Sequence, residues 1–87
     1  MWLGRIVRSK NGRDRYRLFA IIGTCEDGSV LIADGNLHKI ESPKKKNIRH
    51  IEVLAASDAV ITSLQDLSDD RLFESLREYE ENCEKHH

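Results

Sequence analysis

Basic side chains are concentrated in residues 8–17, between two apolar runs near the start of the chain. Asn11-Gly12 lies inside this segment, and both residues tolerate the positive φ angles of a tight hairpin turn. Cationic side chains on one hairpin converge, which suits the phosphate groups of a polyanion, and arginine or tyrosine can stack on an unpaired base. The alternative is a solvated loop whose charges serve solubility. The predicted polyanion-binding residues are Arg8, Lys10, Asn11, Arg13, Arg15, Tyr16 and Arg17.

A second basic group follows the only proline, at Lys44-Lys45-Lys46, with Arg49 close behind. Three consecutive lysines cannot all face inward, so they predict a cluster of point charges. Lysines contact phosphates without reading bases. The alternative is a charge run that protects a sheet edge from pairing with another chain.

Charge divides the chain into two unlike halves. Residues 1–50 carry eleven lysines and arginines against five acidic residues, a balance of +6. Residues 51–87 carry three basic against ten acidic residues, a balance of -7, so the net charge is only -1. This asymmetry is typical of a polyanion-binding module with a different kind of tail, although each half can also simply solvate its own surface.

No residue pattern in the chain supports catalysis. There is no Ser/His/Asp set in a recognisable context, no phosphate-binding glycine loop and no pair of carboxylates in an apolar setting. His38 and His50 lack metal-ligand spacing with Cys25 or Cys83. We therefore expect a protein that is not an enzyme and has no cofactor or metal site.

The sequence predicts a cytoplasmic protein without a membrane partner. No apolar run approaches the ~20 residues that cross a bilayer, and the first residues lack the order of a signal peptide. The two cysteines lie far apart without a pairing pattern, which indicates free thiols in a reducing compartment.

Residues 1–55 contain five short β-prone runs separated by turns, which indicates a small, mostly antiparallel barrel. In the second run the apolar residues fall on both parities, so both faces of that strand should be covered. Pro43 breaks the strand pattern, and residues 44–47 after it are predicted to form a basic connection. The predicted strands are 3–8, 18–25, 30–34, 37–41 and 48–54.

Residues 68–87 predict an acidic amphipathic helix, joined to the barrel by a linker or short helix at 56–67. Ser68 is a good N-cap, and Asp69 and Asp70 follow in the first turn, where the helix dipole favours acids. The helix should run from about 69 to 84 and pack its apolar stripe on the barrel or on another molecule. The stripe consists of Leu72, Phe73, Leu76, Tyr79 and Cys83.

Residues 3–51 resemble a family of small bacterial KOW-domain proteins, related to the large-subunit ribosomal proteins of the fourteen-e type in archaea and eukaryotes. The resemblance implies an SH3-like barrel that binds RNA, above all ribosomal RNA. It is carried by Gly4-Arg5-Ile6-Val7, Ser9, Gly12-Arg13-Asp14, Ile32-Ala33-Asp34-Gly35 and Pro43-Lys44-Lys45-Lys46-Asn47-Ile48.

The sequence therefore predicts a mainly β protein, with a five-stranded SH3-like barrel of the KOW type at 1–55 and a C-terminal α-helix. Its expected function is non-enzymatic binding of structured RNA through two basic loops, in association with the ribosome or translation. The alternative is a protein-interaction module that works through the helix stripe, because SH3-like barrels also bind peptides and a fold does not fix a function.

Overall fold

The computed structural model describes residues 3–10, 17–54, 60–61 and 67–84, with side chains as far as 81. These residues form one five-stranded antiparallel sheet and a C-terminal helix. The elements are β1 (Ile6–Ser9), β2 (Leu18–Thr24), β3 (Ser29–Ala33), β4 (Lys44–Asn47), a 3₁₀ turn (Ile48–His50), β5 (Ile51–Val53) and α1 (Asp69–Glu84).

The strands lie in the order β4-β3-β2-β1-β5, so the first four form a meander and β5 returns beside β1. Strand β1 pairs with both β2 and β5. Val7 lies opposite Phe19 of β2 on one side and opposite Val53 of β5 on the other. The outer strands β4 and β5 each pair with a single neighbour in the described part of the chain. The mainly β fold with a C-terminal helix is therefore confirmed.

Both faces of the sheet are apolar, as the two parities of the second predicted strand require. On one face Leu18 and Ala20 of β2 pack with Leu72 and Leu76 of α1. On the other face the alternate β2 residues, Phe19 and Ile21, belong to a second buried cluster. That second cluster is completed by Val7, Val30, Ile32 and Ile51, with Ile48 and Val53 at its border.

Helix α1 begins and ends where its sequence signals predict. The Ser68 hydroxyl accepts a hydrogen bond from the amide of Arg71 (3.2 Å), which is the geometry of an N-cap. Leu72 and Leu76 are buried against the sheet, so the stripe packs on the same chain. Phe73 was expected to be buried with them, but its neighbouring position turns it outward and leaves it 42% exposed.

The predicted strand 37–41 is wrong, because this segment is a turn held by two carboxylates. The Asp34 carboxylate accepts hydrogen bonds from the amides of Asn36 and His38, both at 2.9 Å. The Asp69 carboxylate accepts from the amide of Ile40 at 2.8 Å and so ties the turn to α1. These bonds compete successfully with strand pairing, as side-chain bonds of aspartate often do.

The residues predicted as a basic connection form a strand instead. Lys44 lies opposite Ile32 and Lys46 opposite Val30, so β4 is a full partner of β3. The predicted strand 48–54 is a 3₁₀ turn followed by β5. The Asn47 side chain accepts a hydrogen bond from the amide of Arg49 (2.9 Å) and so caps the 3₁₀ turn. The lysine run alone carries little β-propensity, so pairing with β3 decides its conformation.

The structure also describes the turn between β2 and β3 and part of the predicted linker. The predicted tight turn between β2 and β3 is closed by the backbone amide of Cys25, which donates to the carbonyl of Ser29 (2.8 Å). Cys25 is a half-buried free thiol at the start of this turn, because β2 ends at Thr24, one residue before the end of the predicted strand 18–25. Most of the predicted linker 56–67 lies outside the described residues, but the Ile61 amide donates to the carbonyl of Gly4 (2.7 Å).

Candidate functional site

The first basic segment is the end of a β-hairpin, and the structure describes the two ends of that segment. The amide of Ser9 donates to the carbonyl of Arg17 (3.1 Å), which closes the base of the hairpin. Lys10 and Arg17 are exposed on either side of this bond. The predicted site residues Asn11, Arg13, Arg15 and Tyr16 lie outside the described residues.

Arg8 lies within β1, two residues before Lys10. It lies opposite Leu18 of β2 and opposite Glu52 of β5, on the face of the sheet that carries α1. The side chain is half-buried, and its Nε atom is buried without a hydrogen-bond partner among the described residues. A buried donor that stays unsatisfied costs about 1–3 kcal/mol.

A backbone hydrogen bond joins the two basic segments. The amide of Lys10 donates to the carbonyl of His50 at 2.9 Å, so the 3₁₀ turn lies against the base of the hairpin. Arg49, exposed in the middle of this turn, is thereby brought near Lys10 and Arg17. We refer to Lys10, Arg17 and Arg49 as the basic junction.

The three lysines of β4 do not act as one cluster. Lys44 and Lys46 share a face with Val30 and Ile32, and both are half-buried along the edge of the second apolar cluster. Lys45 points to the opposite face and is exposed. In the sheet, β3 and β2 lie between β4 and β1. The connection from the lysines to the basic junction runs along the chain, because the 3₁₀ turn begins directly after β4.

Lys45 has a partner of its own. Its ammonium lies 3.0 Å from the Asp27 carboxylate, and both side chains are exposed. The pKa of Asp27 is lowered to about 2, first by the hydrogen bond from the Ser29 amide and next by the hydrogen bond from Lys45. The same bond raises the pKa of Lys45. This lysine therefore carries a local counter-charge that a phosphate must compete with.

A cleft that the sequence did not predict lies between the hairpin base and α1. Arg17 and Leu18 line one side of it, and Phe73 and Arg77 line the other. Phe73 was grouped with the buried stripe because it follows Leu72. Neighbouring residues of an α-helix point about 100° apart around its axis, so Leu72 and Phe73 do not share the centre of one face.

No protein-family model matches this chain, and no curated protein matches it with significant similarity. In the described residues, no three His, Cys, Asp or Glu side chains come together in a group able to hold a metal ion. None of the described helices has the length and apolar character needed to cross a membrane.

Proposed function

We propose that this protein binds structured RNA without catalysing a reaction, as a cytoplasmic KOW-type, SH3-like barrel associated with the ribosome or translation. The observation that carries the proposal is the hydrogen bond between the Lys10 amide and the His50 carbonyl. It puts exposed cations from two distant parts of the chain at one end of the sheet. Convergent cations of this kind bind phosphates by charge and shape, with little reading of sequence.

The packing of the sheet supports the barrel. The cluster around Phe19 and Ile21 is buried on the face opposite α1, and in the described residues only strands and the 3₁₀ turn contribute to it. A sheet that buries one face without a covering layer has to curl around that face. The position of the 3₁₀ turn between β4 and β5 is consistent with such a curl.

The chemistry of the basic residues supports RNA over a folded protein partner. Lys10, Arg17 and Arg49 are exposed, so a phosphate reaches them without a large desolvation cost. The alternative module would use the helix stripe, but Leu72 and Leu76 are part of the core. Among the stripe residues whose side chains the structure describes, Phe73 is the exposed one and would carry the contact with a protein partner.

The proposal is tested by titrating the ¹⁵N-labelled protein with a ribosomal RNA hairpin and following the amide resonances by NMR. We expect the largest shifts at Lys10, Arg17 and Arg49, and small shifts at the solvent-facing α1 residues Glu74 and Glu78. Double-stranded DNA of equal charge serves as the control and should bind more weakly, because its groove geometry differs from that of A-form RNA. Shifts confined to α1, or no shifts at low salt, would reject RNA binding through the basic junction.

A further inference from the structure

A cleft of about 390 Å³ opens between α1 and the strand ends beside it. Its volume is in the range of ~300–1,000 Å³ that is usual for small-ligand sites. The floor contains Leu18 and Leu76, both of which also belong to the apolar cluster under α1. The floor of the cleft is therefore part of the packed core.

An aromatic ring forms one wall of the cleft. Phe73 is 42% exposed, which is unusual for an aromatic side chain on a helix that packs against a sheet. Arg77 lies one turn further along the same flank of α1 and also lines the cleft. An exposed ring beside a guanidinium is the arrangement on which an unpaired base stacks.

The polar groups of the cleft have distinct positions. Arg17 approaches from the hairpin base and Arg77 from α1, so a cation stands on each side. Asp34 is only 8% exposed, and the amides of Asn36 and His38 fix its carboxylate. A carboxylate has about four acceptor positions, and both of these bonds end on Oδ1. Among the described residues, the Oδ2 atom is left to accept from a ligand.

From these groups we infer that the cleft takes one unpaired nucleotide of the bound RNA. The base stacks on Phe73, its exocyclic amino group donates to Asp34, and its phosphate lies between Arg17 and Arg77. Adenine, cytosine and guanine carry such an amino group and uracil does not, so the cleft discriminates against uracil. The inference rests on the proposed RNA binding, but its site differs from the basic junction except for Arg17.

The Arg77 Nε atom lies 3.5 Å from the Glu81 carboxylate, so a phosphate must compete with this ion pair. Of the two carboxylates that line the cleft, Asp34 and Glu80, only Glu80 has no part in the inferred contacts. It lies on the same flank of α1, seven residues after Phe73, and its charge repels a phosphate. The substitution Glu80→Gln removes the charge and keeps the shape. We therefore expect it to tighten nucleotide binding, which a purely structural role of Glu80 would not do.

The first experiment needs no RNA. The ¹⁵N-labelled full chain is titrated separately with adenosine 5′-monophosphate, uridine 5′-monophosphate and inorganic phosphate. We expect saturable NMR shifts at the amides of Asn36, Phe73 and Arg77 with the adenine nucleotide, weaker shifts with the uracil nucleotide and the weakest with phosphate. Equal responses to all three probes, or none to the adenine nucleotide, would overturn the inference.

Two matched variants separate stacking from general apolar contact. Phe73→Leu keeps an apolar side chain but removes the ring, and should weaken adenine-nucleotide binding on the order of tenfold. Leu37→Ala removes another exposed apolar side chain, outside the lining of the cleft, and should leave binding unchanged. Equal binding by Phe73→Leu and the unaltered protein would overturn the stacking role.

A second experiment distinguishes failure of this inference from failure of RNA binding itself. Two RNA hairpins are compared, identical except for a single bulged adenine. Phe73→Leu should abolish the advantage of the bulged hairpin and leave the salt dependence of binding unchanged. Good binding of both hairpins with no effect of Phe73→Leu would overturn the nucleotide site alone. If neither hairpin binds, the proposed function is rejected, and the mononucleotide titration then decides whether the cleft binds a nucleotide.

Discussion

Helix α1 and strand β4 carry much of the charge in the molecule, and the two elements are anchored in opposite ways. Acidic α1 is held by side chains, since Leu72 and Leu76 enter the core and the Asp69 carboxylate binds the Ile40 amide. The charged residues of α1 between 70 and 81 are exposed. Basic β4 is held by backbone pairing with β3, and two of its lysines lie along the core edge. The charge of an element therefore does not indicate whether side-chain packing or backbone pairing anchors it.

The same difference governs what each element is free to bind. On α1 the stripe residues Leu72 and Leu76 are buried, and among the described apolar residues of the helix Phe73 is the exposed one. On β4 the strand alternation splits consecutive lysines between two faces, and Asp27 occupies Lys45. The sequence shows three adjacent charges, but the molecule presents them as separate groups.

The largest effect is expected where α1 enters the core. Leu72 is 0% exposed, so Leu72→Ala should lower the free energy of unfolding by about 2–5 kcal/mol. Leu37→Ala is the matched control, because Leu37 is 60% exposed and should change stability little. Urea denaturation followed by circular dichroism measures both. Equal stability of the two variants would mean that α1 is not anchored by its stripe.

A smaller effect is expected at the joint between α1 and the turn after β3. Gly35 has φ +78°, and an added Cβ would collide with the backbone carbonyl oxygen of Asp69. Gly28 also has positive φ, +90°, but a Cβ there meets nothing within 4 Å. Gly28→Ala should therefore cost only the backbone strain of about 1 kcal/mol, and Gly35→Ala clearly more.

The denaturation midpoints of the two glycine variants give the comparison directly. Their difference isolates the steric contact between the turn and α1 from the strain of the left-handed backbone. Equal destabilisation by the two substitutions would show that Gly35 does not lie against α1.

The smallest effect concerns the ion pair of β4. Because the pKa of Asp27 is lowered to about 2, this carboxylate favours the folded state above its ordinary pKa of 3.8. That contribution is lost as the pH falls from about 4 toward 2. Lys45→Met should raise the pKa of Asp27 only part of the way, since the Ser29 amide remains. A ¹³C NMR titration of the carboxyl carbon measures it, and an unchanged pKa would remove the pair.

Helix α1 was predictable because its determinants are local. The Ser68 cap, the two acidic residues after it and the spacing of Leu72 and Leu76 lie within a few residues of one another. Strands β1, β2 and β3 were likewise indicated by apolar runs between turns. The meander and the covered faces followed from short connections and from apolar residues on both parities of β2.

Strand β4 was not predictable from its own residues, because pairing with β3 supplies the preference for an extended backbone. The turn at 37–41 was missed for a similar reason, since the carboxylate of Asp69 that holds it lies 29 residues away from Ile40. The basic residues of the candidate site were found from composition. Their separation into the basic junction, the Asp27 pair and the cleft with Phe73 depends on register, which the sequence does not display.

The most direct test of RNA binding through the basic junction is the salt dependence of affinity. The double substitution Lys10→Ala and Arg49→Ala removes two charges and retains the backbone bond between Lys10 and His50. Fluorescence anisotropy with a ribosomal RNA hairpin, repeated at several salt concentrations, gives the slope of log K against log salt for each protein. Lys39→Ala, which removes an exposed charge in the turn after β3, is the control.

If RNA binds at the basic junction, the double variant should flatten this slope by roughly 1–2 units, because each lost phosphate contact contributes about 0.7–0.9. The Lys39→Ala protein should keep the slope of the unaltered protein. A double variant whose slope equals that of the unaltered protein, or a control that flattens the slope equally, would contradict binding at the basic junction.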